Sequence, residues 1–293
     1  MIKRIFAYFF IPVLLLFATT LWLYDGYHKL LTPPDTTVLL TDGKKQVTQN
    51  QPKSSPQTDT EREKIEDADM DVLVTARLKR EDTMAQAGIG RLAIPSENLD
   101  LPILNQVTEL SLSTGAVTYF PERPLGEGNV VLASHNFSDA DVLLHRIKNV
   151  TTGTKIYVTD FTTVWIYRVT VNQKIHENQT EVLDQPKDDQ PIVTLLRCEG
   201  GIGTEYRRVV QGTLQQTQKF STLTTKEQHS LGVMEEKTEK ERTQQSEKQS
   251  ENWMSHQLAL SIQQSRPTIW LVGLALINLL ALVIQGIMFV RND

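Results

Sequence analysis

The stretch Thr194-Leu195-Leu196-Arg197-Cys198 decides how this chain is read, and it holds the only cysteine in 293 residues. Just ahead of it, Pro191-Ile192-Val193 extends a short apolar run suited to a buried strand. Just after it, Glu199-Gly200-Gly201-Ile202-Gly203 reads as a loop. A second apolar run, Tyr206 to Val210, follows and carries Arg207 and Arg208. A lone thiol thus stands at a strand end, beside a glycine-rich loop, with two arginines on the next strand. Such a thiol is either an inert core side chain or a nucleophile, since cysteine outside disulfides is among the most buried residue types.

The ends of the chain set the compartment. Ile5 to Tyr24 is nearly all apolar behind Lys3 and Arg4, and it has the length a helix needs to cross a bilayer. A cleaved signal peptide shares that pattern. No small-x-small cleavage pattern follows, and the sequence runs on as Trp22-Leu23-Tyr24-Asp25, which favours an uncleaved anchor. Thr268 to Val290 is a second apolar stretch, interrupted only by Asn278 and Gln285 and closed by Arg291. Lys3, Arg4 and Arg291 predict both ends in the cytoplasm, with everything between them outside. Outside the cytoplasm cysteines come in pairs, and one odd cysteine cannot staple its own chain. The net charge of -5 gives no basic footprint for nucleic acid.

Five segments follow. Residues 1–26 form the membrane anchor. Residues 27–80 form a polar spacer, rich in Gln, Ser, Thr and Pro up to Thr60, that ends in an amphipathic helix from Glu61 to Arg80 with Ile65, Met70, Val72, Leu73 and Leu78 as its apolar positions. Residues 81–220 form the folded domain. Residues 221–266 form a polar charged tether, either a solvated helix or disordered. Residues 267–293 form the second membrane helix and a short tail. Within the domain, strands are predicted at Leu92–Ile94, Leu101–Leu104, Val130–Ala133, Lys155–Thr159, Thr163–Ile175, Ile192–Leu196 and Arg207–Leu214. A short helix is predicted over Asp141–Lys148, with Val142, Leu143, Leu144 and Ile147 on its apolar face. Many short strands and little helix predict an all-β barrel or sandwich.

A thiol nucleophile needs a base or a positive charge nearby, because the thiolate is the reactive form. Of the six histidines, His135 sits in Ala133-Ser134-His135-Asn136 at the end of an apolar strand. A strand end can aim a side chain into a cleft, or the ring can simply cap the strand. Arginine stays protonated and cannot act as a base, but it can stabilise an oxyanion. Arg207 and Arg208 are adjacent in a strand and point to opposite faces, so only one can share a cleft with Cys198.

These residues carry a resemblance. Thr194-Leu195-Leu196-Arg197-Cys198 resembles the sortase signature Thr-Leu-x-Thr-Cys, and Ala133-Ser134-His135-Asn136 is similar to the sortase histidine segment. Tyr206-Arg207-Arg208-Val209-Val210-Gln211-Gly212 resembles the family's arginine strand, and Ile94-Pro95 and Leu101-Pro102-Ile103 resemble its early strands. The similarity spans about Ala87 to Phe220. It implies an eight-stranded β-barrel with short helices, and a cysteine transpeptidase of a Gram-positive cell membrane with its catalytic domain outside. Such enzymes cut a Leu-Pro-x-Thr-Gly type signal between Thr and Gly through a thioacyl intermediate. A cell-wall precursor amine of the lipid II type then resolves that intermediate.

On this chain the resemblance makes Cys198 the nucleophile and His135 the acid for the leaving amine. The family's arginine lies five positions before the strand's closing glycine, which gives Arg207, with Arg208 as the alternative. Ala133, Ser134, Leu196 and Arg197 would border the substrate groove. No cofactor or metal is expected, although some relatives bind calcium and Glu122, Glu127, Glu177, Glu181 and Asp184 lie in candidate loops. Two departures stand out. Arg197 replaces the threonine before the cysteine, and a second membrane helix is typical of the pilin-polymerising class. That class carries a lid with an Asp-Pro-aromatic motif, which this sequence lacks. The Ala-Ser-His-Asn segment favours the housekeeping class.

Overall fold

The structure is a computed structural model. It describes residues 38–50, 68–137, 140–201 and 203–234, with scattered positions among residues 14–25. The predicted membrane segments 1–26 and 267–293 lie outside these residues apart from those scattered positions. The spacer from 51 to 67 and the tether beyond 234 also lie outside them. Among the described residues no helix is long and apolar enough to cross a membrane. The chain divides into two compact units, and the one spanning Thr32–Glu239 carries the fold described below.

The elements in chain order are β1 (Val38–Leu39), α1 (Leu40–Asn50), α2 (Met70–Leu78), α3 (Arg80–Ala87), β2 (Gly88–Ile94) and β3 (Leu99–Leu104). They continue with α4 (Glu109–Thr114), β4 (Ala116–Thr118), β5 (Asn129–Ala133), β6 (Lys155–Thr159) and β7 (Thr163–His176). The last are β8 (Ile192–Cys198), β9 (Tyr206–Lys219), α5 (Thr225–Ser230) and β10 (Val233–Met234). Eight strands close a barrel in the order β2-β3-β4-β5-β8-β9-β7-β6. Within the barrel only the β3–β4 and β5–β8 pairs are parallel. Closure leaves the barrel no open edge.

Alternation fixes what fills the interior. The register sets Leu92 against Leu101 and Val158, and Leu195 against Leu132 and Val210. These buried side chains meet inside the barrel. Their outward neighbours are covered too, which is why β2 is buried along its whole length. One outer cluster lies under α4 and joins Ala87, Leu104, Val107, Leu112, Val117 and Ala133.

The second outer cluster moves the domain boundaries. Phe220, Leu223, Leu231 and Val233 pack with Ala93, Phe161, Val164 and Ile166, and Val38, Leu40 and Val47 close over them. Ordered structure therefore starts well before residue 81 and runs past residue 220. β1 pairs with β10 in parallel, joining the two flanks of the barrel. Gln46 and Asn50, read in sequence as spacer, donate side-chain hydrogen bonds to the carbonyls of Met84 and Ala85. A short polar helix with a few apolar positions has no sequence signal strong enough to reveal that it docks on a barrel.

Arg91 fastens the C-terminal flank. Its side chain is 1% exposed, and Nε donates to the Leu231 carbonyl at 2.9 Å and to Asp100 at 3.0 Å. Gly232 takes φ +66° next to this pair, where a Cβ would strike the Asp100 carboxylate and the Arg91 guanidinium.

The predicted helix over 61–80 appears as α2, capped by Asp69, and a turn at Lys79 separates it from α3. The predicted helix over 141–148 is a 3₁₀ turn, Leu143–Asn149, with Leu143, Leu144 and Ile147 buried. It lies against one end of the barrel and is central to the site.

Candidate active site

The register of three neighbouring strands assembles the site. β8 and β9 place Cys198 directly opposite Arg207. β5 and β8 place Ala133 beside Leu196, and the ladder continues with Ser134 N donating to the Leu196 carbonyl at 3.2 Å. Two residues further on come His135 and Cys198. The histidine thus follows the end of β5 by as many residues as the cysteine follows Leu196 on β8. His135 and Cys198 are 3% and 6% exposed. The His135 N–H donates to the Leu112 carbonyl at 3.0 Å, and the His135 ring meets Phe137 edge-on at 6.3 Å. Of the predicted trio, Cys198 and Arg207 are direct cross-strand partners, and His135 lies just past the end of the neighbouring strand.

The choice between the two arginines follows from the same register. Arg207 lies on the face of Cys198, and Arg208 pairs with Arg197 on the other. Arg207 donates to the carbonyls of Thr204 and Tyr206 at 2.8 and 3.0 Å, and to Glu177 at 2.7 Å. Glu177 lies in one of the candidate calcium loops. Its carboxylate is instead the ion-pair partner of Arg207. Among the described residues no group of three or more His, Cys, Asp or Glu side chains is arranged to hold a metal ion.

The four residues expected along the groove divide by alternation. Ala133 and Leu196 share the Cys198 face and join the cluster under α4. Ser134 and Arg197 face the other way. Ser134 Oγ accepts from the Leu144 N–H at 3.4 Å. Arg197 is 3% exposed, and its guanidinium is directed at the 3₁₀ turn and away from the cleft. Strand parity is the reason: neighbours of a residue in a strand cannot share its face.

Sequence reasoning missed two networks. On the Cys198 face, Thr194 Oγ1 donates to Asn129 Oδ1 at 2.8 Å. Gln211 Nε2 donates to Thr194 Oγ1 and to the Val182 carbonyl, both at 3.1 Å. Asn129 Nδ2 donates to the carbonyls of Val182 and Asp184 at 3.0 and 2.8 Å. The signature threonine thus helps pin the loop after β7 over the sheet. On the opposite face, Glu199 pairs with both Arg197 (2.7 Å) and Arg208 (3.0 Å). His145 adds a ring beside this cluster, its Nε2 accepting from Lys148 Nζ at 2.7 Å. Burial pushes the His145 pKa down, and Lys148 and Arg197 push it further the same way. Burial pushes the Glu199 carboxyl up, but its hydrogen bond to Arg208 and the two guanidinium charges outweigh that and hold it below the usual range.

The Sortase domain family model matches residues 92–215. Sortase A of Listeria monocytogenes is 33% identical over 135 residues, covering 46% of this chain and 60% of the relative. Sortase A of Bacillus anthracis is 34% identical over 151 residues, covering 52% of this chain and 69% of the relative. The chain belongs to the sortase family. Among solved structures, the Listeria monocytogenes sortase A structure is 32% identical, covers 50% of this chain and 99% of its own, and has a TM-score of 0.46. A sortase C1 structure from Streptococcus agalactiae is 27% identical, covers 44% of this chain and 70% of its own, with a TM-score of 0.39.

Proposed function

We propose that this protein is a membrane-anchored cysteine transpeptidase that joins surface proteins to the cell wall of a Gram-positive bacterium. The observation that supports the reading is the register: Cys198 stands opposite Arg207 across β8 and β9, and His135 follows two residues after the end of β5, whose last residue pairs with Leu196. In this mechanism the Cys198 thiolate attacks the threonine carbonyl of a Leu-Pro-x-Thr-Gly type signal. His135 protonates the departing glycine amine, and Arg207 stabilises the oxyanion of the tetrahedral intermediate. A peptidoglycan precursor amine of the lipid II type then attacks the thioester and regenerates the thiol.

Membrane anchoring rests on the apolar chain ends. It is supported by Leu14, Phe17, Leu21 and Tyr24, helical positions with 51% to 66% of their surface exposed. Their spacing puts them on one side of a helix, as a lipid-facing stripe requires. The groove residues on the Cys198 face are Ala133 and Leu196.

The test uses the full chain in detergent micelles with a fluorogenic Leu-Pro-x-Thr-Gly peptide. Wild type cleaves it, Cys198→Ala does not, and mass spectrometry finds a thioester on Cys198. Cleavage by Cys198→Ala at the wild-type rate would overturn the mechanism. Offering a cell-wall peptide amine and a pilin lysine as competing acceptors separates cell-wall anchoring, expected here from the sortase A relatives, from pilin polymerisation.

A further inference from the structure

Arg197 is the residue by which this chain departs from the sortase signature, and its surroundings are unusual for a residue adjoining a nucleophile. Its guanidinium is buried, with 2% of the side chain exposed. Nη1 donates to the carbonyl of Cys198 at 2.6 Å and to Asn136 Oδ1 at 3.1 Å. Nη2 reaches the His145 carbonyl at 3.4 Å and Glu199 at 2.7 Å. Asn136 directly follows His135, and its Nδ2 donates to the Gly200 carbonyl at 3.2 Å, in the loop after Cys198. One side chain thus fastens the cysteine's own backbone to the segment that carries the histidine. Threonine is too short to span these partners.

The charge balance points the same way. Behind Cys198 lie two guanidiniums, Arg197 and Arg208, and one carboxylate, Glu199, which leaves one positive charge. His145 is held neutral beside them, with Lys148 beyond it. On the cleft side the charged or titratable groups are His135, Arg207 and Glu177, the last two paired with each other. Among these described groups, the charge left over next to the thiol, in a buried setting, is therefore positive. A nearby opposite charge favours the ionised form of a thiol, and burial reduces screening of that effect.

We infer that Arg197 is a positioning residue for the nucleophile, tying the Cys198 and His135 segments together and favouring the Cys198 thiolate from the far side of the sheet. The inference rests on reading Cys198 as the nucleophile. It adds a second arginine to the site: Arg207 on the oxyanion side, and Arg197 acting through the thiol and its backbone.

The test measures the rate of Cys198 alkylation by iodoacetamide against pH in the full chain in detergent, with the peptide-cleavage constants alongside. Arg197→Gln is expected to raise the alkylation midpoint by about one pH unit. Glu199→Gln, which leaves the cluster more positive, is expected to lower it. Arg197→Lys keeps the charge but loses the planar fork, so its midpoint stays near that of wild type while kcat falls about tenfold with KM little changed. A thermal melt of each variant checks folding. If Arg197→Gln does not fold, the opposite shift in Glu199→Gln and the kcat loss in Arg197→Lys still decide.

Midpoints that coincide in wild type, Arg197→Gln and Glu199→Gln would overturn the inference and leave Arg197 a structural residue. That result would not touch the transpeptidase reading. Failure of the folded wild type to alkylate at any pH would instead sink the nucleophile assignment, and this inference with it.

Discussion

Arg207 and Arg208 are neighbours of one residue type, yet the fold gives them different work. The pairing of Cys198 with Arg207 puts one guanidinium on the reactive face, and Arg208 turns back to Glu199 and Asn172. Their substitutions should separate accordingly. On the proposed mechanism Arg207→Ala removes an oxyanion donor, so kcat for peptide cleavage should fall by about 10² to 10³. The alkylation rate of Cys198 should change far less. Arg208→Ala takes one of two cationic partners from a half-buried carboxylate and should show chiefly as a lower melting temperature. Equal loss of kcat in both variants, at equal stability, would mean that register does not divide their roles. Counting back from Gly212 could identify Arg207 in the sequence. The fate of Arg197 could not be read that way, because its partners come from Asn136, His145 and Glu199, which no local pattern links.

At the scale of elements, the barrel strands announced themselves and their companions did not. Runs such as Val130–Ala133 and Ile192–Leu196 are apolar apart from Thr194, because each is largely buried on both faces, and that is a strong local signal. α1, α5 and β10 bury only a few side chains each against the barrel, so their sequences stay polar and read as linker. The 3₁₀ turn Leu143–Asn149 was legible as helical. Its function as the lid on the Arg197 cluster depends on a carbonyl of the main chain, which sequence does not encode. The C-terminal flank offers a direct check. Gly232→Ala would force a Cβ into the Asp100–Arg91 pair at a positive φ, a conformation costing a residue with a side chain about 1 kcal/mol before any clash. The variant should melt several degrees lower, and limited proteolysis should reach residues 221–234 first. An unchanged melting temperature would show that this flank adds nothing to the barrel.

At the scale of the whole molecule, the groups around Cys198 contribute a pH dependence of stability. His145 has a folded pKa below its ordinary 6.5, so between those two values the unfolded chain binds a proton that the folded one refuses. Stability is therefore full above about pH 6.5 and declines as the pH falls through that window. Glu199 and Asp141, both held below the usual carboxylate range, add their own loss at lower pH as they are forced to protonate. Replacing His145 with Gln should flatten the fall in melting temperature just below pH 6.5 and leave the steeper loss in the carboxylate range. A melting curve that keeps its wild-type pH profile in that variant would assign the upper window to another group.

The hydrogen bond from Arg91 to the Leu231 carbonyl joins residues 140 apart in the sequence. A ribosome adds roughly 5 to 20 residues each second, so the arginine precedes its acceptor by ~10 s. Throughout that interval Arg91 has Asp100, made soon after it, but not the Leu231 carbonyl as an acceptor. The barrel's first strand is thus completed by some of the last residues of the fold to be synthesised. A chain truncated short of Leu231 lacks that acceptor and is expected to be cut within β2 by limited proteolysis sooner than the full chain.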